Sequence, residues 1–219
     1  TSSAASDVYK RQKYTMAFKD INKIHKEKMV KIKAIRNSIM KNKTEKKGLI
    51  IVNTGNGKGK SSSGFGMIMR CIAHNIPCAV VQFIKGNWQT GEKKLLKKKF
   101  SRECSFFVSG DGFTWDTQNR ETDIKSAQKG WLKAKELILD TKIKFILLDE
   151  INIALKYGYL NIDDVINFLM DNKPYFTHVV LTGRSANKKL IVVADLVTEM
   201  KLLKHPFKKG IKAQPGIEF

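Results

Sequence analysis

The chain has 219 residues, of which 42% are hydrophobic, and its formal net charge is +21. This length and composition suit one domain with a buried core plus an additional arm. The sequence has no long uncharged apolar run and no apolar stretch at its start, which argues against a membrane-spanning helix and against a secretory signal. We therefore expect a cytoplasmic protein with no membrane partner.

Nearly half of the excess positive charge lies at the start of the chain, because residues 1–48 contain 14 Lys and Arg against 4 Asp and Glu. Such a basic chain raises the question of nucleic-acid binding, since lysine and arginine neutralise phosphates. However, lysine greatly outnumbers arginine, and no lysine cluster alternates with aromatic residues that could stack on bases. We interpret the charge as a solvated basic surface and expect no nucleic-acid partner.

The three cysteines are Cys71, Cys78 and Cys104. Their odd number and wide spacing fit neither a disulfide framework nor a metal site built on a CxxC motif. We predict that they are free thiols, mostly buried.

The residues before the main domain divide into two predicted segments. Residues 1–15 begin without methionine and show no hydrophobic periodicity, so we interpret them as a non-native or disordered leader ahead of a start at Met16. Residues 16–47 form a basic arm in which Ile21 and Ile24 begin an apolar series at helical spacing. This pattern predicts an amphipathic helix that packs on its own domain or on a partner subunit. A membrane-surface helix is disfavoured because bulky aromatic residues do not line the apolar face.

From residue 48 onward, short apolar runs alternate with stretches of helical periodicity. The predicted strands span 49–53, 78–84, 104–108, 143–149 and 178–182, with a sixth apolar piece at 196–203. The predicted helices span 61–74, 121–140, 161–172 and 186–194. Such alternation predicts right-handed βαβ crossovers. We therefore expect an α/β domain over residues 48–219, with a mostly parallel sheet of five or six strands.

A glycine-rich turn follows the first predicted strand and precedes the first helix of this domain. Its glycines allow the backbone to wrap N–H groups around an anion, and the helix N-terminus adds the positive end of its dipole. Lys60 supplies a charge for the outer phosphates and is a predicted catalytic residue, while Ser61 supplies a hydroxyl for Mg²⁺. The predicted triphosphate-binding residues of the turn are Thr54, Gly55, Asn56, Gly57, Lys58, Gly59, Lys60, Ser61 and Ser62. The turn predicts a three-layer fold like that of the P-loop NTPases, with Thr54 where the usual pattern has glycine.

Two carboxylates, Asp149 and Glu150, end the predicted strand 143–149. The carboxyl ends of parallel strands form the edge where α/β sheets bind ligands. The pair resembles a Walker B motif, in which one carboxylate completes, directly or through water, the magnesium shell begun by Ser61. The alternative, a purely structural cap on the strand, is disfavoured because the glycine-rich turn is present.

An aromatic and polar loop contains Phe113 and Trp115, which could pack internally, stack on a base or contact a large flat ligand. With this loop, the chain resembles the ATP:corrinoid adenosyltransferases of the CobA/BtuR type over residues 48–219. The resemblance rests on separate motifs in a matching order, namely 53–60 (NTGNGKGK), 81–86 (VQFIKG), 112–121 (GFTWDTQNRE), 147–150 (LLDE), 182–184 (TGR) and 210–218 (GIKAQPGIE).

The resemblance implies transfer of the 5′-deoxyadenosyl group of ATP to the Co(I) centre of a reduced corrinoid, such as cob(I)alamin or cobinamide, with release of triphosphate. The cobalt is then the nucleophile, so the enzyme supplies positioning and charge neutralisation rather than a serine or cysteine nucleophile. It places Phe113 and Trp115 beneath the corrin ring, where they displace the lower axial ligand and ease the reduction of Co(II). It assigns Arg184 to the nucleotide. It also implies an electron-donating flavoprotein or flavodoxin, and a homodimer in which the N-terminal helix covers the active site.

Two further interpretations stay open. A nucleic-acid-stimulated ATPase would use the same glycine-rich turn together with the basic arm, and would release inorganic phosphate. A binding protein that has lost activity would keep only the fold, but the residues of the site argue against it, since the chain retains Lys60, Ser61, Glu150, Phe113 and Trp115.

Overall fold

A computed structural model of the protein describes residues 2–84, 90–109 and 119–218, with side chains from Asp20 onward. Contacts divide the chain into two compact units, Thr1–Lys46 and Lys47–Phe219. Among the described residues, no helix is long and apolar enough to cross a membrane.

The first unit contains one long helix, α1 (Ser2–Lys41). It begins well before Met16, where periodicity predicts its start. The preceding residues lack an apolar stripe but include strong helix formers such as Ala4, Ala5 and Lys10, which explains the extension. The apolar side chains of the predicted stripe are exposed, with Ile24 at 65%. The origin of residues 1–15 and the role of the arm 16–47 stay predictions.

The second unit alternates strands and helices. Its six described strands are β1 (Ile50–Thr54), β2 (Cys78–Phe83), β3 (Cys104–Ser109), β4 (Phe145–Asp149), β5 (His178–Thr182) and β6 (Leu196–Glu199). Its described helices are α2 (Lys60–Ala73), α3 (Gly91–Lys99), α4 (Arg120–Leu139), α5 (Ile151–Lys156), α6 (Ile162–Asn172) and α7 (Lys188–Val193), followed by a 3-10 turn, Pro206–Lys209.

The strands form one sheet in the order β3-β2-β4-β5-β1-β6. Every strand pairing in the sheet is parallel, which confirms the predicted α/β class. The sheet has six strands because the apolar piece at 196–203 supplies β6, although only Leu196–Glu199 pairs with β1.

Helices cover both faces of the sheet, as the predicted three-layer fold requires. Alternate strand residues enter two separate apolar clusters. Val52 and Leu148 pack in the cluster that α4 to α7 cover, whereas Ile51 and Leu147 pack in the cluster that α2 and α3 cover. The three cysteines are free and buried, as predicted.

Two helices, α3 and α5, are absent from the sequence prediction. Helix α3 is mostly lysine, so its apolar periodicity is too weak to detect, but Thr90 caps it by accepting a hydrogen bond from the Lys93 N–H (3.3 Å). Helix α5 starts directly after β4 through Glu150, whose φ of 63° lies in the left-handed region. Each is stabilised mainly by packing, since Leu96 and Ile151 are buried.

Candidate functional site

Strands β4, β5 and β1 are neighbours in the sheet, and their carboxyl ends carry the motifs identified in the sequence. β1 leads into residues 54–61, which we call the glycine loop, while β4 ends at Asp149 and β5 ends at Thr182. Because the strands are parallel, these ends lie along one edge of the sheet. The topology therefore brings together three segments that are well separated in the chain.

The glycine loop turns directly into helix α2. Gly59, the residue before the helix, has a φ of 104°, a conformation that side-chain-bearing residues rarely adopt. Lys60 is only 7% exposed, and its Nζ donates a hydrogen bond to the Gly57 carbonyl (2.5 Å). The lysine therefore folds back over its own loop, where its ammonium group and the N-terminus of α2 concentrate positive charge.

A cavity of about 280 Å³ opens at this loop. The loop and α2 contribute Gly57, Lys58, Gly59, Lys60, Ser61, Ser62 and Phe65 to its lining. Other segments contribute Thr90, Glu92, Glu150, Arg184, Ala213, Ile217 and Glu218. The cavity thus combines loop amides, basic groups and the carboxylates of Glu92, Glu150 and Glu218, which is the chemistry required by a polyphosphate and a divalent cation.

Four buried polar residues lie side by side at the carboxyl edge of the sheet, and we call them the polar row: Gln82, Asp149, Thr182 and Asn53. The strand register places Gln82 opposite Asp149, and Asn53 opposite Thr182. All four are at most 2% exposed. They point to the face that α2 covers, since Asn53 donates to the Ser63 hydroxyl of that helix (3.4 Å). The polar row therefore lies directly beneath the first turn of α2.

Within the polar row, the Asp149 carboxylate accepts two side-chain hydrogen bonds. The Thr182 hydroxyl donates to Asp149 Oδ1 (2.8 Å), and the Gln82 amide donates to Oδ2 (3.0 Å). The same Thr182 oxygen accepts a hydrogen bond from the Glu150 N–H (2.9 Å). Asp149 therefore orients the Thr182 hydroxyl, which in turn holds the backbone of Glu150 in its left-handed conformation. Glu150 itself lines the cavity.

A second carboxylate anchors the start of β1. Asp195 accepts hydrogen bonds from the Ile50 N–H (2.9 Å) and from Lys47 Nζ (2.5 Å). Partial burial acts to raise the pKa of Asp195, but the hydrogen bonds from Lys47 and Ile50 outweigh it, so the pKa lies below its ordinary value. Asp195 thus holds the strand that carries the glycine loop at its other end.

The comparison with known protein families gives a direct match. A family model described as ATP:corrinoid adenosyltransferase BtuR/CobO/CobP covers residues 46–219. The chain belongs to this family. One relative, a corrinoid adenosyltransferase from a Sinorhizobium species, is 61% identical over 195 residues, which cover 89% of this chain and 91% of the relative.

More distant members of the adenosyltransferase family cover nearly as much of the chain. A corrinoid adenosyltransferase of Pseudomonas aeruginosa is 47% identical over 89% of this chain and 95% of its own length. One of Escherichia coli (strain K12) is 41% identical over 80% of this chain and 87% of its own length. These matches confirm the resemblance predicted from the separate motifs.

The structure brings most of the predicted adenosyltransferase site residues to one cavity, but not all of them. Residues 57–62, Glu150 and Arg184 are in its lining. Thr54, Gly55 and Asn56 are not, and the Thr54 hydroxyl instead accepts a hydrogen bond from the Ala186 N–H (3.0 Å). Asp149 is fully buried in the polar row rather than in the cavity wall. Phe113 and Trp115 lie outside the described residues.

Several cavity residues are absent from the predicted site. Thr90 and Glu92 escape notice because helix α3 has no detectable periodicity. Ile217 and Glu218 belong to the 210–218 motif. This motif supports the family resemblance, but the sequence does not indicate where the segment lies in the fold. Thr182 belongs to the 182–184 motif, and its hydrogen bonds to neighbouring strands follow only from the register of the sheet.

Proposed function

We propose that the chain transfers the 5′-deoxyadenosyl group of ATP to the Co(I) centre of a reduced corrinoid and releases triphosphate. Membership of the ATP:corrinoid adenosyltransferase family supports this activity. The observation that carries the proposal at the level of residues is the convergence of the glycine loop, Lys60, Glu150 and Arg184 on a single cavity. These groups suit a phosphate chain whose full negative charge must be stabilised when it leaves as one unit.

The triphosphate is proposed to bind along the glycine loop. The main-chain amides of the loop and the N-terminus of α2 provide fixed positive dipoles, and Lys58 and Lys60 provide two ammonium groups beside them. When the bond between C5′ and the α-phosphate oxygen breaks, the leaving triphosphate gains negative charge. Groups that already face this position stabilise that charge without reorganising. Their second role is to hold C5′ in line with the attacking cobalt of the substrate.

A Mg²⁺ ion is proposed to bind between Ser61 and Glu150. The two residues line the same cavity, and a hydroxyl with a carboxylate suits the preference of Mg²⁺ for oxygen ligands. The described residues contain no group of three or more His, Cys, Asp or Glu side chains arranged to hold a metal ion, so phosphate oxygens and water would complete the shell. The ion would neutralise charge on the triphosphate. Asp149 is proposed to support the site by holding Thr182 and, through it, the backbone of Glu150.

The corrinoid is proposed to contact Phe113 and Trp115. In the sequence, these residues lie between β3, which ends at Ser109, and α4, which begins at Arg120. Because the sheet is parallel, the carboxyl end of β3 lies at the same sheet edge as the glycine loop. An apolar wall beneath the ring would replace the lower axial ligand and make Co(II) easier to reduce. The electron-donating flavoprotein or flavodoxin, the homodimer and the cytoplasmic location also belong to this proposal, and each follows from the family resemblance or the composition.

An anaerobic spectroscopic assay tests the activity. The protein is incubated with Mg-ATP and chemically reduced cobalamin, and the corrinoid spectrum is followed for a light-sensitive cobalt–carbon product. We expect product with the wild type and with Lys142→Ala, a surface control, and none with Lys60→Ala. Failure of the wild type under strictly reducing conditions, or full activity of Lys60→Ala, would contradict the proposed site.

The same assay separates the roles of cobalt reduction and adenosyl transfer. Trp115→Ala is expected to retain activity when Co(I) is supplied ready-made and to lose it when the reaction starts from Co(II) and a reductant. This difference follows because the ring is proposed to act only on the axial ligand. Equal loss from both starting states would remove that role for Trp115.

A further inference from the structure

Lys58 of the glycine loop forms an ion pair with Glu218, 160 residues further along the chain. Both residues line the cavity. The lysine side chain is 58% exposed, whereas the Glu218 side chain is only 17% exposed. The carboxylate is therefore the more buried member of the pair, and it lies in a cavity that also contains the loop amides, Lys60 and Arg184.

The segment that carries Glu218 is attached to the glycine loop at its other end as well. The Met200 N–H donates to the Thr54 carbonyl (2.8 Å), and the Gly57 N–H donates to the Met200 carbonyl (2.7 Å). The packing there is close, since a Cβ atom added to Gly57 would lie 2.7 Å from the Met200 and Lys201 carbonyl oxygens. Residues 200–218 thus leave the loop beside Gly57 and return to it at Lys58.

A local turn fixes the end of this segment. The Gln214 carbonyl accepts hydrogen bonds from the Ile217 N–H (3.1 Å) and the Glu218 N–H (3.0 Å). Gly216 has a φ of 81°, which allows the chain to reverse within the turn. These backbone contacts place the main chain of Glu218 beside the glycine loop, from which its carboxylate reaches Lys58.

We propose that Glu218 is a positioning residue that acts through Lys58: it pairs with the lysine before the triphosphate binds and gives way to a phosphate group when it does. This inference rests on the proposed function, which makes the cavity a triphosphate site. A phosphate chain carries several charges and is also held by the loop amides and Lys60, so it displaces a single carboxylate. The same competition favours release of the triphosphate product, because Glu218 can recover Lys58 as the product leaves.

The expected size of the effect follows from the exposure of the pair. A partly exposed ion pair contributes only a small free energy, and breaking it would change a binding constant by about two- to fivefold. Removing the charge of Glu218 should therefore tighten the binding of a phosphate chain by about two- to fivefold. A residue with a merely structural role would weaken binding when replaced, so the direction of the change is diagnostic.

The test is a calorimetric titration of the full chain with inorganic tripolyphosphate at fixed ionic strength. The variants are Glu218→Gln, Glu218→Ala, Lys58→Met and the Lys58→Met/Glu218→Gln double variant. Both Glu218 variants are expected to lower the Kd about two- to fivefold, while Glu218→Gln should have no effect in the Lys58→Met background. Glu136→Gln, which removes the pair with Lys133 on α4, is the matched control and should leave the Kd unchanged.

The outcomes separate this inference from the proposed function. An unchanged or higher Kd in both Glu218 variants overturns the inference, and so does an equal gain in the Lys58→Met background, which would indicate general electrostatics. If the wild-type chain itself fails to bind tripolyphosphate, the proposed triphosphate site is wrong. If the wild type binds tripolyphosphate but the Glu218 variants do not show the expected fall in Kd, the proposed function stands and the role of Glu218 is wrong.

Discussion

The Thr182 hydroxyl offers a sharp test of how the site is built, because one oxygen joins Asp149 to the backbone of Glu150. Replacing Thr182 with valine keeps the shape and removes both hydrogen bonds. A hydrogen bond to a charged group contributes about 1.5–3 kcal/mol and one between neutral groups about 0.5–1.5 kcal/mol. Because Thr182 is fully buried, water cannot replace them, so Thr182→Val should lower the free energy of unfolding by about 3 kcal/mol.

This loss can be measured by thermal or urea unfolding. For a chain of this size, about 3 kcal/mol corresponds to a fall in Tm of roughly 6–12 °C. Thr182→Ser retains the hydroxyl and should recover most of the stability. Thr198→Val makes the same change on the exposed strand β6 and should stay within about 0.5 kcal/mol of the wild type.

The substitution should also alter Mg²⁺ use, since Glu150 would lose a backbone contact worth about 1 kcal/mol. We expect the Mg²⁺ concentration for half-maximal adenosyl transfer to rise roughly fivefold in Thr182→Val, measured at a temperature where the variant is folded. If Thr182→Val is as stable as Thr198→Val, the hydrogen bonds of the polar row do not have the strength assigned here. If stability falls and the Mg²⁺ requirement stays the same, the link from Thr182 to Glu150 is wrong.

Three further predictions concern other parts of the site. Ser61→Ala should raise the Mg²⁺ concentration for half-maximal activity about tenfold, whereas Ser61→Thr should stay within about twofold in the same Mg²⁺ titration. Gly57→Ala should weaken tripolyphosphate binding in a calorimetric titration, because its Cβ meets backbone oxygens at 2.7 Å, whereas Gly66→Ala, with nothing within 4 Å, should not. The pKa of Asp195 is lowered from 3.8 in the folded protein, so its ionised carboxylate stabilises the fold at pH values above 3.8. That stabilisation is lost as the pH falls through the pKa of the folded state. Asp195→Asn should therefore lower the free energy of unfolding by about 1 kcal/mol at neutral pH and by progressively less in acid, as measured by urea unfolding.

Much of the fold can be predicted because its signals are local. Buried parallel strands appear as short apolar runs, and β5 (His178–Thr182) coincides with its predicted range. Helices with a strong apolar stripe, such as α6 (Ile162–Asn172), are also recognisable. Helix α3 is not, because a lysine-rich segment forms a helix only through its cap and the packing of Leu96. Local pattern therefore fails where tertiary contacts decide the structure.

The candidate site follows the same division. The residues around Lys60 and Ser61 are predictable because a glycine-rich turn between a strand and a helix has one main physical use. The different positions of Asp149 and Glu150 cannot be predicted, since two adjacent carboxylates look equivalent in the sequence. The register of β4 against β2 and β5 buries Asp149 between Gln82 and Thr182, while Glu150 turns toward the cavity. Only the register of the assembled sheet supplies that distinction.

The central claim is that the cavity binds the phosphate chain of ATP so that cobalt attacks C5′ and the triphosphate leaves whole. The most direct measurement is phosphorus-31 NMR of the products formed from Mg-ATP and chemically reduced cobalamin, with the adenosylated corrinoid quantified in the same sample. We expect one inorganic triphosphate for each adenosyl–cobalt product. ADP and inorganic phosphate, with no adenosyl–cobalt species, would contradict the account.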